Sequence, residues 1–85
     1  MKTWSYTITD EQGIHARPAG ELVKLTKEFT SEIKIGKEEN MVDCKKIFGI
    51  MGLAAKKGDT VNFRFSGEDE EQALMAVEEF MKANL

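Results

Sequence analysis

The chain has 85 residues, 41% of them hydrophobic and 32% charged, with a formal net charge of −3. That length holds one domain with a single core, residues 1–85, and the composition is globular, which excludes disordered and fibrous classes. The acidic balance excludes general nucleic-acid affinity, and one cysteine excludes an internal disulfide or a thiolate metal cluster.

The longest run free of charged or polar side chains, Ile47 to Ala55, is too short to cross a bilayer. No basic start followed by an apolar run resembles a signal peptide, so cytoplasmic residence without membrane insertion is expected. Nothing points to a large apolar interface, and a monomer is expected.

Lys2 to Thr9 alternates Trp4, Tyr6 and Ile8 with Thr3, Ser5 and Thr7, the period of a strand with one buried face. Asp10 to Gly13 is turn chemistry. From Ala16 to about Phe29, Ala19, Leu22, Val23, Thr26 and Phe29 or Thr30 recur at helical spacing, opposite Glu21, Lys24, Lys27 and Glu28. Ile33 and Ile35 alternate with Glu32 and Lys34 in a second strand; Gly36 to Asn40 reads as a turn and Met41 to Cys44 as a short third strand. Ile47 to Leu53, apolar with two glycines, predicts a short, irregular helix. Val61, Phe63 and Phe65 alternate with Asn62 and Arg64 in a fourth strand, Thr60 to Ser66. A last helix follows Ser66-Gly67, with Ala73, Leu74, Val77, Phe80, Met81 and Asn84 or Leu85 on one stripe. Its acidic first turn, Glu68 to Glu71, complements the helix dipole. The order β-α-β-β-α-β-α with half-polar strands predicts an α+β fold: an open-faced β-sandwich, its four-stranded antiparallel sheet covered on one face by three helices.

The only histidine stands where the first helix should begin, in "GIHARPAG", residues 13–20. If His15 is the N-cap, the amides of Ala16 and Arg17 have no partner inside the helix, and with the dipole they form an anion site. Pro18 has no N–H to lose and stiffens the first turn. Arg17 adds a planar cationic fork suited to a phosphate or carboxylate. The positive helix end favours the neutral imidazole, leaving a ring nitrogen nucleophilic, and the same groups lower the cost of a phosphoryl dianion built on it. By themselves these features propose phosphoryl binding and leave open an ordinary surface histidine. One histidine and one cysteine, 29 positions apart, fall short of a metal site, and neither a hydrolytic triad nor a nucleotide-binding loop is present.

"GIHARPAG" resembles the active-site segment of the histidine-containing phosphocarrier (HPr) family of the bacterial phosphoenolpyruvate:sugar phosphotransferase system. The resemblance extends along the whole chain, with "KKIFGIMGL", residues 45–53, similar to the family's short middle helix. It implies a stoichiometric phosphoryl carrier, not an enzyme, and no cofactor. Enzyme I would place a phosphoryl group on Nδ1 of His15, and a IIA domain of a sugar permease would take it. Arg17 would grip the group, the amides of Ala16 and Arg17 would cradle it, and Pro18 would hold the turn. Partners would dock on Lys46, Ile47, Phe48, Met51 and Gly52 of the short helix, beside Gly20, Lys24 and Lys27 on the first. On the short helix, Ile47 and Ile50 are expected to point inward, with Phe48 and Met51 outward. Residues 41–57 carry Lys45, Lys46, Lys56 and Lys57 against Asp43 alone, a basic bias suited to acidic partner rims.

Two departures stand out. Gram-positive relatives open the short helix with a serine that a dedicated kinase phosphorylates; Lys46 occupies that place, and no serine or threonine lies between Glu32 and Asp59. Serine-kinase regulation is therefore expected to be absent. Gly20 stands where relatives often carry alanine. An alternative is a non-phosphorylated adaptor or co-regulator of the same fold, binding through Phe48 and Met51. Family members that act so lack the histidine and work through the serine, the reverse of the pattern here.

Overall fold

The computed structural model describes residues 1–85 and has the expected order: β1 (Lys2–Thr7), α1 (Ala16–Thr26), β2 (Glu32–Lys37), β3 (Asn40–Asp43), α2 (Ile47–Gly52), β4 (Thr60–Ser66) and α3 (Glu70–Asn84). All strand pairs are antiparallel, in the spatial order β1-β4-β2-β3. Phe63 of the central strand β4 lies opposite Trp4 on one side and Ile35 on the other. Side chains alternate across a strand, so Val61, Phe63, Phe65, Ile33 and Ile35 share one face, and all five are fully buried. Ala19 and Leu22 of α1, Ile50 of α2, and Ala73, Val77 and Met81 of α3 pack into that core. The opposite face is polar: the Ser5 hydroxyl donates to Asn62 Oδ1 at 2.6 Å, and the Thr7 and Thr60 hydroxyls meet at 2.9 Å. This is the open-faced α+β sandwich that the half-polar strands predict.

Departures from the sequence reading are local and have identifiable causes. β1 ends at Thr7, because the amides of Ile8 and Thr9 leave the ladder for the carbonyls of Asp59 and Leu85. Trp4 and Tyr6 are only half-buried, since β1 is an edge strand, and they stack on each other at 5.4 Å. α1 ends at Thr26: the amides of Glu28 and Phe29 bond three residues back, to Leu25 and Thr26, tightening the last turn. Beyond it the amides of Thr30 and Ser31 are taken by the Asp69 carboxylate at 2.9 Å each, which pulls the chain away from the helix. Gly36 belongs to β2, not to a turn, facing Met41 and Asn62 across the ladders. A Cβ there would collide with the Asn40 carbonyl oxygen, so the hairpin closes only over glycine. β3 starts one residue early, at Asn40, which pairs with Lys37 across the hairpin.

α3 begins at Glu70, so Glu68 and Asp69 precede the helix. Leu85, not Asn84, takes the last place on its buried stripe, and Leu74 and Phe80 are only partly covered.

Candidate functional site

His15 is the N-cap of α1, with extended backbone (φ −100, ψ −177) and no side-chain capping bond. Its carbonyl receives the first intrahelical bond, from the Ala19 amide at 3.0 Å. His15 is half-buried, Ala16 and Arg17 are exposed, and Pro18 is buried. Pro18 has no N–H, so the amides left over at this helix start are those of Ala16 and Arg17. The helix has no acidic residue in its first turn to occupy them. The site is therefore an open electropositive tip carrying an uncommitted ring.

The tip is held from beneath. Asp10 turns the chain by accepting the Gln12 amide on its side chain at 2.8 Å and the Gly13 amide on its carbonyl at 3.0 Å. Gly13 has φ +67, and a Cβ on it would collide with the Ala55 carbonyl and sit 2.7 Å from Lys56 Cα. The next amide, of Ile14, donates to that same Ala55 carbonyl at 3.0 Å. The loop supplying it is closed by Asp59, whose carboxylate accepts from the Lys56 amide (2.9 Å) and Lys37 Nζ (3.3 Å). Those bonds, the Lys56 amide foremost, hold the Asp59 carboxyl below the usual range.

Arg17 Nη1 lies 3.4 Å from Glu21 Oε1, one turn further along α1, with both side chains largely in solvent. Sequence reasoning placed Glu21 on the polar face and missed this pairing, although the i, i+4 spacing from Arg17 was visible.

α2 sits beside the tip. Phe48 is 88% exposed and Met51 39%, as expected, while Ile50 is fully buried. Ile47 is not inward: it is 36% exposed. The helix is only six residues long, and Ile50 takes its one inward place. Ile47 instead reaches over α1, its Cδ1 3.9 Å from where a Cβ on Gly20 would be. Lys24, Lys27 and Lys46 are exposed on these two helices, and a shallow groove beside the patch is lined by Val23, Lys27, Asp43, Lys45, Lys46, Ile47 and Phe48. Nothing in the chain lies within 4 Å of a Cβ placed on Gly52, so the bare backbone there is not required by internal packing.

Lys46 is the N-cap of α2 and makes no capping bond. The turn into α2 is made by Asp43, whose carboxylate accepts the Lys45 amide at 2.9 Å and whose carbonyl accepts the Lys46 amide at 3.2 Å. Lys45 is not free for a partner, since its Nζ donates to the Phe29 carbonyl at 2.7 Å. Cys44 is buried behind this turn; burial, with the Asp43 charge beside it, pushes its thiol up to about 12. A thiol so raised is not a nucleophile at neutral pH.

The family model described as "PTS HPr component phosphorylation site" matches residues 2–83. The phosphocarrier protein HPr of Lysinibacillus sphaericus is 46% identical over 77 residues, covering 91% of this chain and 88% of the relative. The crystal structure of HPr-C-His from Thermoanaerobacter tengcongensis superposes with a TM-score of 0.93 at 35% identity, over 98% of this chain and 93% of that one. Crh, the catabolite repression protein of Bacillus subtilis, is also similar: TM-score 0.78 and 31% identity, over 94% and 92% of the chains. No helix is long and apolar enough to cross a membrane.

Proposed function

The chain belongs to the HPr family of phosphotransferase-system phosphocarriers, and on that premise we propose that it carries a phosphoryl group on His15. Enzyme I loads Nδ1 of that ring in the cytoplasm, and a IIA domain unloads it, the carrier working as a monomer. The half-buried, uncommitted imidazole at the start of α1 carries this reading. It is open enough for two proteins to reach in turn, and the amides of Ala16 and Arg17 beside it need an acceptor. Those donors are in place before the reaction, so negative charge arriving on the phosphoryl oxygens meets them without reorganisation. Arg17 supplies the balancing cation, and buried Pro18 fixes the turn that presents both.

Both partners dock over Phe48, Met51 and the exposed part of Ile47, with Gly20 and Gly52 allowing close approach. Lys24, Lys27 and Lys46 steer acidic rims toward that patch. Lys46 also replaces the hydroxyl that a serine kinase needs, and it holds a positive charge where phosphoserine would bring about −2. Incubation with such a kinase and ATP is expected to leave the mass unchanged.

A phosphoenolpyruvate and Enzyme I mixture tests the central reading. The chain is expected to gain one acid-labile phosphoryl group, absent from His15→Ala; an unchanged mass, or an adduct that survives the substitution, contradicts it. The likeness to Crh favours a second reading, an adaptor that binds through Phe48 and Met51 without carrying a phosphoryl group. Partner capture by an unphosphorylated chain that Enzyme I does not load is its distinguishing outcome.

A further inference from the structure

This inference rests on the reading of His15 as phosphoryl acceptor and concerns what Arg17 does when that group is absent. The chain has two arginines, and Arg64 lies on β4, between Thr3 of β1 and Lys34 of β2. Arg17 is thus the one guanidinium at the tip. It already has an anion, Glu21, at 3.4 Å. Glu21 lies four residues along α1, about 6 Å further from the cap along the axis. A guanidinium turned back to the cap amides must leave it. Arg17 is mostly and Glu21 about half solvated, 69% and 49% exposed, so the pair is weak enough to exchange.

We propose that Glu21 is a positioning residue for phosphoryl transfer: it holds Arg17 in the unphosphorylated carrier and competes with the phosphoryl group for the same guanidinium. The pair stabilises only the unloaded state, so it weakens loading and favours release. On discharge the N–P bond breaks with its electron pair kept by the His15 ring, and the acceptor nucleophile forms the new bond to phosphorus. The proton displaced from the acceptor passes to the ring, and Arg17 returns to Glu21. The carrier is thereby kept from holding its cargo too firmly to pass it on.

The test equilibrates the full chain with Enzyme I at a fixed ratio of phosphoenolpyruvate to pyruvate and reads the phosphorylated fraction by intact mass. Glu21→Gln is expected to raise the loading constant about two- to five-fold, and Glu21→Asp, which keeps the charge, to recover most of the wild-type value. In an Arg17→Ala background the Glu21→Gln rise should vanish, which separates competition from simple repulsion or altered folding. An unchanged constant in Glu21→Gln, or an equal rise without Arg17, overturns the inference. A wild-type chain that takes up no phosphoryl group ends the carrier reading and this inference together. A loaded wild type indifferent to residue 21 ends only this one.

Discussion

The two long helices begin in opposite ways. α3 starts at Glu70, after Asp69 as N-cap, with Glu70 and Glu71 in its first turn; Glu70 Oε1 accepts the Gly67 amide at 3.1 Å while its other oxygen meets the chain's amino group at 3.3 Å. The Asp69 carboxylate reaches across to Ser31 and Thr30 and fastens the α1–β2 loop. Asp69 makes no side-chain capping bond either, but this helix end carries acidic residues of its own chain. α1 starts with a histidine that caps nothing, has no first-turn acid, and leaves its amides to whatever arrives. Electrostatics favours an anion at both ends; the protein supplies its own at one and none at the other.

Filling the open end should have the largest effect. Arg17→Glu places a carboxylate in the first turn of α1 and removes the guanidinium, making it resemble α3. Phosphoryl acceptance from Enzyme I is expected to fall about 100-fold, the usual scale for losing one preorganised donor. The thermal midpoint should hardly move, because Arg17 is exposed.

Gly13→Ala attacks the support beneath the open end. The φ of +67 and the collision with Ala55 should destabilise the fold by about 1–3 kcal/mol in urea titration. Phosphoryl acceptance should drop with it, as the entry to α1 moves.

At the closed end, pH is the probe. The Ser31 hydroxyl and then the Thr30 amide lower the Asp69 carboxyl from 3.8 to about 2. A lowered carboxyl contributes stability that is fully present above its unfolded value and lost as pH falls through the folded one. The melting temperature should thus decline as pH drops from about 4 toward 2, and Asp69→Asn should flatten that decline while starting from a lower value at pH 7.

Gly20→Ala is the mildest change. The new methyl meets only Ile47 Cδ1, at an ordinary 3.9 Å, so helix propensity decides the sign and stability should rise by about 0.5–1 kcal/mol. Enzyme I docking should be little changed, since relatives often carry alanine there.

Periodicity made most of this molecule legible. Val61, Phe63 and Phe65 read as a strand because they alternate, and Ala19 and Leu22 read as a helix face because they recur at three. The start of α1 was legible too, since an N-cap is fixed by its immediate neighbours. Contacts between distant segments were not. Gly36 read as turn chemistry, because nothing local shows that Asn40 passes where its side chain would be. Asp69 read as a dipole partner, because its acceptance of the Ser31 and Thr30 amides joins residues 38 and 39 positions apart. Ile47 read as core because apolar spacing cannot tell how many inward places a six-residue helix has.

Amide chemical shifts of the loaded and unloaded chain test the account most directly. After phosphorylation by Enzyme I, the amide protons of Ala16 and Arg17 should move strongly downfield as they bind the phosphoryl oxygens, with phosphorus on Nδ1 of His15. Shifts that leave residues 16 and 17 untouched, or that centre on another part of the chain, would contradict the claim that α1 offers its open end to the cargo.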